Sequence, residues 1–168
     1  MSGGKVYETT RSLDHPLLYF PNSTDALDED LVIRTKNGSW VDIVFNVGVL
    51  PEEPVEIGHA LHKHGNKFWV IGRGLGEWNW TTTADAVEAH PEFFNLETPA
   101  IKDTAITEFI GAMWVVIRYH SNNPGPWLLH CHVETHLAGG MGIAIMDGVD
   151  KWPKIPPEYA LGRNGFKV

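Results

Sequence analysis

Apolar and polar positions alternate through much of the chain with a period of two. That period predicts strands rather than helices. Leu31 to Thr35 and Trp40 to Val49 read as strands joined at Asn37-Gly38, a dipeptide that favours a tight hairpin. In the second strand Val41, Ile43, Phe45 and Val47 alternate with Asp42, Val44 and Asn46, as a half-buried strand should. Pro51-Glu52-Glu53-Pro54 is a loop, and Phe68 to Ile71 a short buried strand. Gly72-Arg73-Gly74-Leu75-Gly76 follows and reads as a flexible loop between strands. It is no dinucleotide fingerprint, because Glu77 stands where the third glycine should be and no helix opens there. A short helix is expected around Ala84 to His90, stopped before Pro91. Thr104 to Phe109 and Met113 to Tyr119 are further strands, the latter carrying the apolar run Trp114-Val115-Val116-Ile117. Asn122 to Pro126 has turn composition, and Trp127 to His130 and Gly142 to Met146 close the series. Some seven short strands with turn signals between them predict an all-β sandwich or barrel with one or two short helices. Residues 1–30 read as an irregular arm or linker, 31–150 as the domain, and 151–168 as a loop-rich tail.

Composition narrows the functional classes. The chain has 168 residues, 43% of them hydrophobic, and a formal net charge of −8. A nucleic-acid binder would need a basic stripe, so the charge argues against that class. No run of 18 apolar residues occurs, so no helical membrane span is expected. The start, Met1 to Tyr7, lacks the apolar core of a secretion signal. Three Asn-X-Ser/Thr triplets, at Asn22, Asn37 and Asn79, are candidate glycan acceptors. A single cysteine excludes an intrachain disulfide.

That cysteine carries the chemistry. Six of the nine histidines fall in two groups, His59, His62 and His64 in the first, and His130, His132 and His136 in the second. Cys131 lies between His130 and His132, with His136 five residues on and Met141 five beyond that. One thiolate, two imidazoles and a weak thioether are the ligand set of a blue-copper site, with His59 as the second imidazole from an earlier strand. Zinc is the alternative and would prefer four comparably strong ligands. On extended backbone, His62 and His64 share a face with Lys63 opposite, and His130 and His132 share a face with Cys131 opposite. Two metal environments can then flank one short backbone run. His15, His90 and His120 belong to no motif.

At these residues the chain resembles the C-terminal cupredoxin domain of fungal laccase-like multicopper oxidases. His59-Ala60-Leu61-His62-Lys63-His64-Gly65 matches the family's H-P-x-H-x-H-G, and His130-Cys131-His132, His136 and Met141 match its H-C-H-x₃-H-x₄-[MLF]. Trp114 to Trp127 is similar to the strand and turn before that motif. The likeness runs from about residue 31 to 150. It implies a cupredoxin-like Greek-key β-sandwich and copper as cofactor. By position, it implies type 1 copper on His59, Cys131, His136 and Met141, type 2 copper on His62, and type 3 copper on His64, His130 and His132. His136 would also face the organic donor, and Glu134 would relay protons beside the trinuclear site. Ala60 departs from the usual proline, and Asn66 from the frequent second histidine of H-G-H.

The resemblance implies single-electron oxidation of a small phenolic, aromatic or metal-ion donor, with O₂ as acceptor. This chain supplies only His62, His64, His130 and His132 to the trinuclear cluster. The other half would come from an N-terminal cupredoxin domain, in the same parent protein or a separate chain, or from a second copy across a two-fold axis. A different class stays open, a stand-alone copper-binding electron-transfer module without oxidase activity. The parent enzyme would be secreted.

Overall fold

The computed structural model describes residues 5–8, 16–19, 28–48, 58–108 and 111–157. Asn22, His15, the Pro51–Pro54 loop, Phe109 and residues 158–168 lie outside these. The chain divides into two compact units, Met1–Ser39 with Ser121–Val168, and Trp40–His120.

The first unit carries β1 (Val32–Arg34), β8 (Gly125–Cys131) and β9 (Gly142–Asp147). Strand β9 pairs with β1 in parallel and with β8 antiparallel, so β9 is central in this group. Its burial follows, with Ala144, Ile145, Met146 and Asp147 all at or below 2% exposure. Tyr7, Leu31, Ala144 and Met146 form a buried cluster, against which Leu17, Val32, Leu128, Ile143 and Trp152 pack. A short helix, Glu134–Ala138, connects β8 to β9.

The second unit carries β2 (Ser39–Val47), β3 (Ala60–Lys63), β4 (Phe68–Leu75), β5 (Ala100–Lys102), β6 (Thr104–Ile106) and most of β7 (Met113–Ser121). Four strands run in the order β2-β7-β4-β5, and β3 pairs antiparallel with β6. Strand β7 is the apolar run the sequence predicts, and its Met113 to Ile117 are buried. Ile71, Trp114 and Val116 centre a cluster that Val44, Trp69, Trp78, Trp80 and Phe94 complete. On β2 and β7, Asp42 accepts two hydrogen bonds from the Arg118 guanidinium, at 2.6 and 2.8 Å. Helix α1 (Thr83–Ala89) begins with a capping box in which Thr82 and Asp85 each accept the other's backbone N–H. The helix between β8 and β9 is α2.

The structure corrects several expectations. Asn37-Gly38 forms a turn, with Gly38 at φ 79°, but it closes no hairpin. Strand β1 pairs with β9, and β2 lies beside β7. The glycine-rich stretch is not a loop, because Gly72 and Gly74 are paired residues of β4. A Cβ on Gly72 would stand 2.5 Å from the Phe94 ring, and one on Gly74 2.5 Å from the Trp114 ring. These glycines let aromatic rings lie on the strand. Gly76, at φ 86°, ends it. Strand β8 starts at Gly125, inside the expected turn. The described residues hold nine strands; β3 and β5, of four and three residues, are the two too short to read by periodicity. No helix among the described residues is long and apolar enough to cross a membrane.

Candidate metal centre

In the first unit, β8 delivers His130 and Cys131 at its C-terminal end. The Cys131 N–H donates to the Met141 carbonyl at 3.1 Å, and the Met141 N–H donates to the His136 carbonyl at 2.9 Å. These bonds fold the segment 131–141 back on itself, so that residues ten apart become neighbours. Helix α2 supplies the turn that brings His136 round. Gly140, at φ 85°, completes the return, and its carbonyl accepts the Tyr7 N–H at 3.0 Å. A Cβ on Gly140 would stand 2.5 Å from the Val6 Cβ, so bulk is excluded there.

The result is a thiol at 0% exposure with an imidazole beside it. Cys131 Sγ lies 3.4 Å from His136 Nδ1. An ion bound to sulfur at about 2.3 Å and to nitrogen at about 2.0 Å would hold the two donors about 3.5 Å apart in a tetrahedral arrangement. The pair therefore fits a shared metal ion. His130 is 7% exposed, and its Nδ1 lies 2.9 Å from the Cys131 carbonyl. A carbonyl can only accept, so Nδ1 carries the proton and Nε2 is left as the lone-pair nitrogen. The His130 and His132 ring centroids are 5.5 Å apart, with His132 exposed. Glu134 is exposed in the first turn of α2.

In the second unit, β3 carries the other group. Its burial alternates, with Leu61 and Lys63 inward and His62 on the opposite side. His62 Nδ1 lies 2.8 Å from the Asp103 carbonyl and 3.1 Å from the Thr104 hydroxyl. The same argument protonates Nδ1 and leaves Nε2 as the lone-pair nitrogen. The His62 and His64 ring centroids are 5.0 Å apart, and a ring nitrogen of each lies within 4.8 Å of one on the other. His59 is fixed at its backbone: its N–H donates to the Thr107 hydroxyl at 2.7 Å, and its carbonyl accepts the Thr107 N–H at 2.9 Å.

Within each unit, then, the two rings of an H-x-H pair lie side by side. The residues that orient them, Asp103, Thr104 and Thr107, were not legible from sequence. Thr104 acts through the register of β6 against β3, which places it opposite His62.

An all-β chain with a buried thiol, a facing imidazole and two H-x-H pairs is built like a copper protein. A multicopper oxidase family model matches residues 5–151, and the chain belongs to that family. Copper is its cofactor, and its members are oxidoreductases that use O₂ and a reducing substrate. The chain is 57% identical over 166 residues to the multicopper oxidase GIP1 of Gibberella zeae, covering 99% of this chain and 24% of that protein. It is 56% identical over 161 residues to Laccase 1 of Metarhizium robertsii, covering 93% and 26%. The chain thus spans about a quarter of the length of the curated relatives it matches. The crystal structure of the laccase from Botrytis aclada superposes with a TM-score of 0.65 at 25% identity, covering 89% of this chain and 25% of that one. The fold is all-β and cupredoxin-like, as the sequence predicts.

Proposed function

We propose that this chain is the copper-ligating cupredoxin part of a laccase-like oxidase. In this reading His59, Cys131, His136 and Met141 hold a type 1 copper. His62 is a type 2 ligand, and His64, His130 and His132 are type 3 ligands. The observation that carries the reading is the buried Cys131 thiol 3.4 Å from His136 Nδ1, with a histidine on either side of the cysteine. The chemistry copper supplies when bound is one-electron uptake from a phenolic, aromatic or metal-ion donor and reduction of O₂ by four electrons and four protons to two waters. The chain's own residues do the rest. Cys131 is one peptide bond from His130 and one from His132, which gives a short covalent path between the two ligand sets. His136, half-buried, stands where a donor can approach. Glu134, exposed beside the histidine run, would hold and pass protons. His62 and His130 are oriented by carbonyls that fix their tautomers.

The trinuclear part is half complete here. We infer that an N-terminal cupredoxin domain, or failing that a second copy of this chain, supplies the remaining histidines. The exposure of His64 and His132 favours such a docking face. It is also what a stand-alone electron-transfer module would show, and counting copper separates the two. Exposed sequons at Asn37 and Asn79 support a secreted parent.

The test is metal analysis and the visible spectrum of the chain loaded with copper. An intense blue band is expected, because sulfur-to-copper charge transfer needs a thiolate ligand. Cys131→Ser should abolish it, and a blue serine variant would refute the assignment. One copper per chain without O₂ consumption supports the module. O₂ consumption only after an N-terminal domain is added supports the oxidase.

A further inference from the structure

Lys63 stands between His62 and His64, and the period of a strand turns it to the other face. It is 1% exposed. Burying an ammonium is costly unless it is hydrogen-bonded. Here Nζ donates to the His64 carbonyl at 3.1 Å and to Asn66 Oδ1 at 3.2 Å. It also lies 4.2 Å from the ring centroid of Tyr119, which is fully buried. Asn66 Nδ2 in turn donates to the His120 carbonyl at 3.2 Å. Gly65, at φ 82°, turns the backbone between the histidine and the asparagine. One ammonium therefore ties the end of β3 to the turn that follows it and, through Asn66, to the end of β7. An apolar side chain would fill the same space without making any of these bonds. Asn66 departs from the family pattern, and the bond to Lys63 gives that departure a role.

We propose that Lys63 is a positioning residue for the His62–His64 pair. Its bonds fix the His64 carbonyl and the Gly65–Asn66 turn, and so hold both imidazoles on one face with their centroids 5.0 Å apart. The inference rests on the reading of these two histidines as copper ligands. His62 has its own anchor in the Asp103 carbonyl. His64 is exposed, so its placement depends more on the backbone that the ammonium holds. Ligands held in place lose less conformational freedom on binding, which raises affinity.

The test uses the whole chain titrated with Cu(II), read by paramagnetic broadening of the His62 and His64 ring signals. Amide exchange at Gly65 and Asn66 is measured without copper, and the blue band monitors the Cys131 set. Lys63→Met should weaken Cu(II) binding at the pair about tenfold, as for other groups that orient metal ligands. It should speed amide exchange at the turn and leave the blue band in place. Lys63→Arg should recover most of the loss. Asn66→Leu removes the acceptor and should act in the same direction; it carries the test if Lys63→Met does not fold. Unchanged affinity and exchange in these variants would overturn the proposal. His62→Ala separates the two ideas. If it weakens Cu(II) binding where Lys63→Met does not, only the positioning role falls. If it too leaves binding unchanged, the ligand assignment falls and the positioning role with it.

Discussion

Single atoms decide much of the first unit. Thr35 is buried, and its hydroxyl donates to Asp147 Oδ1 at 2.8 Å while accepting the Gly148 N–H at 3.2 Å. The Ser121 hydroxyl lies 2.7 Å away on the same oxygen. A fully buried carboxylate is stable only while donors reach it, so Thr35→Val removes one at the same volume. We expect a loss of about 2 kcal/mol, read as a lower urea midpoint with an unchanged slope. The same logic governs the histidines. Carbonyls at Asp103 and Cys131 choose the tautomers of His62 and His130, so which ring nitrogen keeps its lone pair is set by backbone atoms.

Among the elements, β4 is instructive because composition misleads there. Glycine-rich stretches usually mark loops. In β4 the glycines are required by what lies on them, the rings of Phe94 and Trp114. Gly74→Ala would push a methyl into the indole of a residue that is 1% exposed and cannot withdraw. A destabilisation of about 1–3 kcal/mol is expected from such overpacking, measured by thermal or urea unfolding. An unchanged midpoint would show that β4 bends away. The pairing of β1 with β9 has a similar origin. A parallel strand seated on a buried central strand covers Ala144 and Met146, which a hairpin with β2 would not do.

For the whole molecule, one hydrogen bond to a carboxylate links folding to acidity. The exposed Asp150 carboxylate accepts the Asn37 N–H at 2.8 Å, which holds its pKa below the ordinary carboxyl range. A depressed folded-state pKa gives stability that is present above the unfolded value and lost as pH falls through the folded one. The stability difference between the native chain and Asp150→Asn should therefore shrink as pH falls through and below the ordinary carboxyl range. A constant difference would refute the contact. The chain covers about a quarter of its relatives' length. By itself the sequence determined the strand-rich class, the short helix before Pro91, and the thiol and imidazoles of the copper motif. It could do so because strand period and ligand spacing are local properties of the chain. Only the tertiary structure decided that β1 joins β9, that Gly72 and Gly74 are strand, that α2 turns His136 toward Cys131, and that Lys63 is buried. The first, second and last depend on which distant groups pack or hydrogen-bond there, since partners such as Met146, Phe94 and Tyr119 lie far away in sequence, and the α2 turn depends on backbone bonds that close only once residues 131–141 fold back.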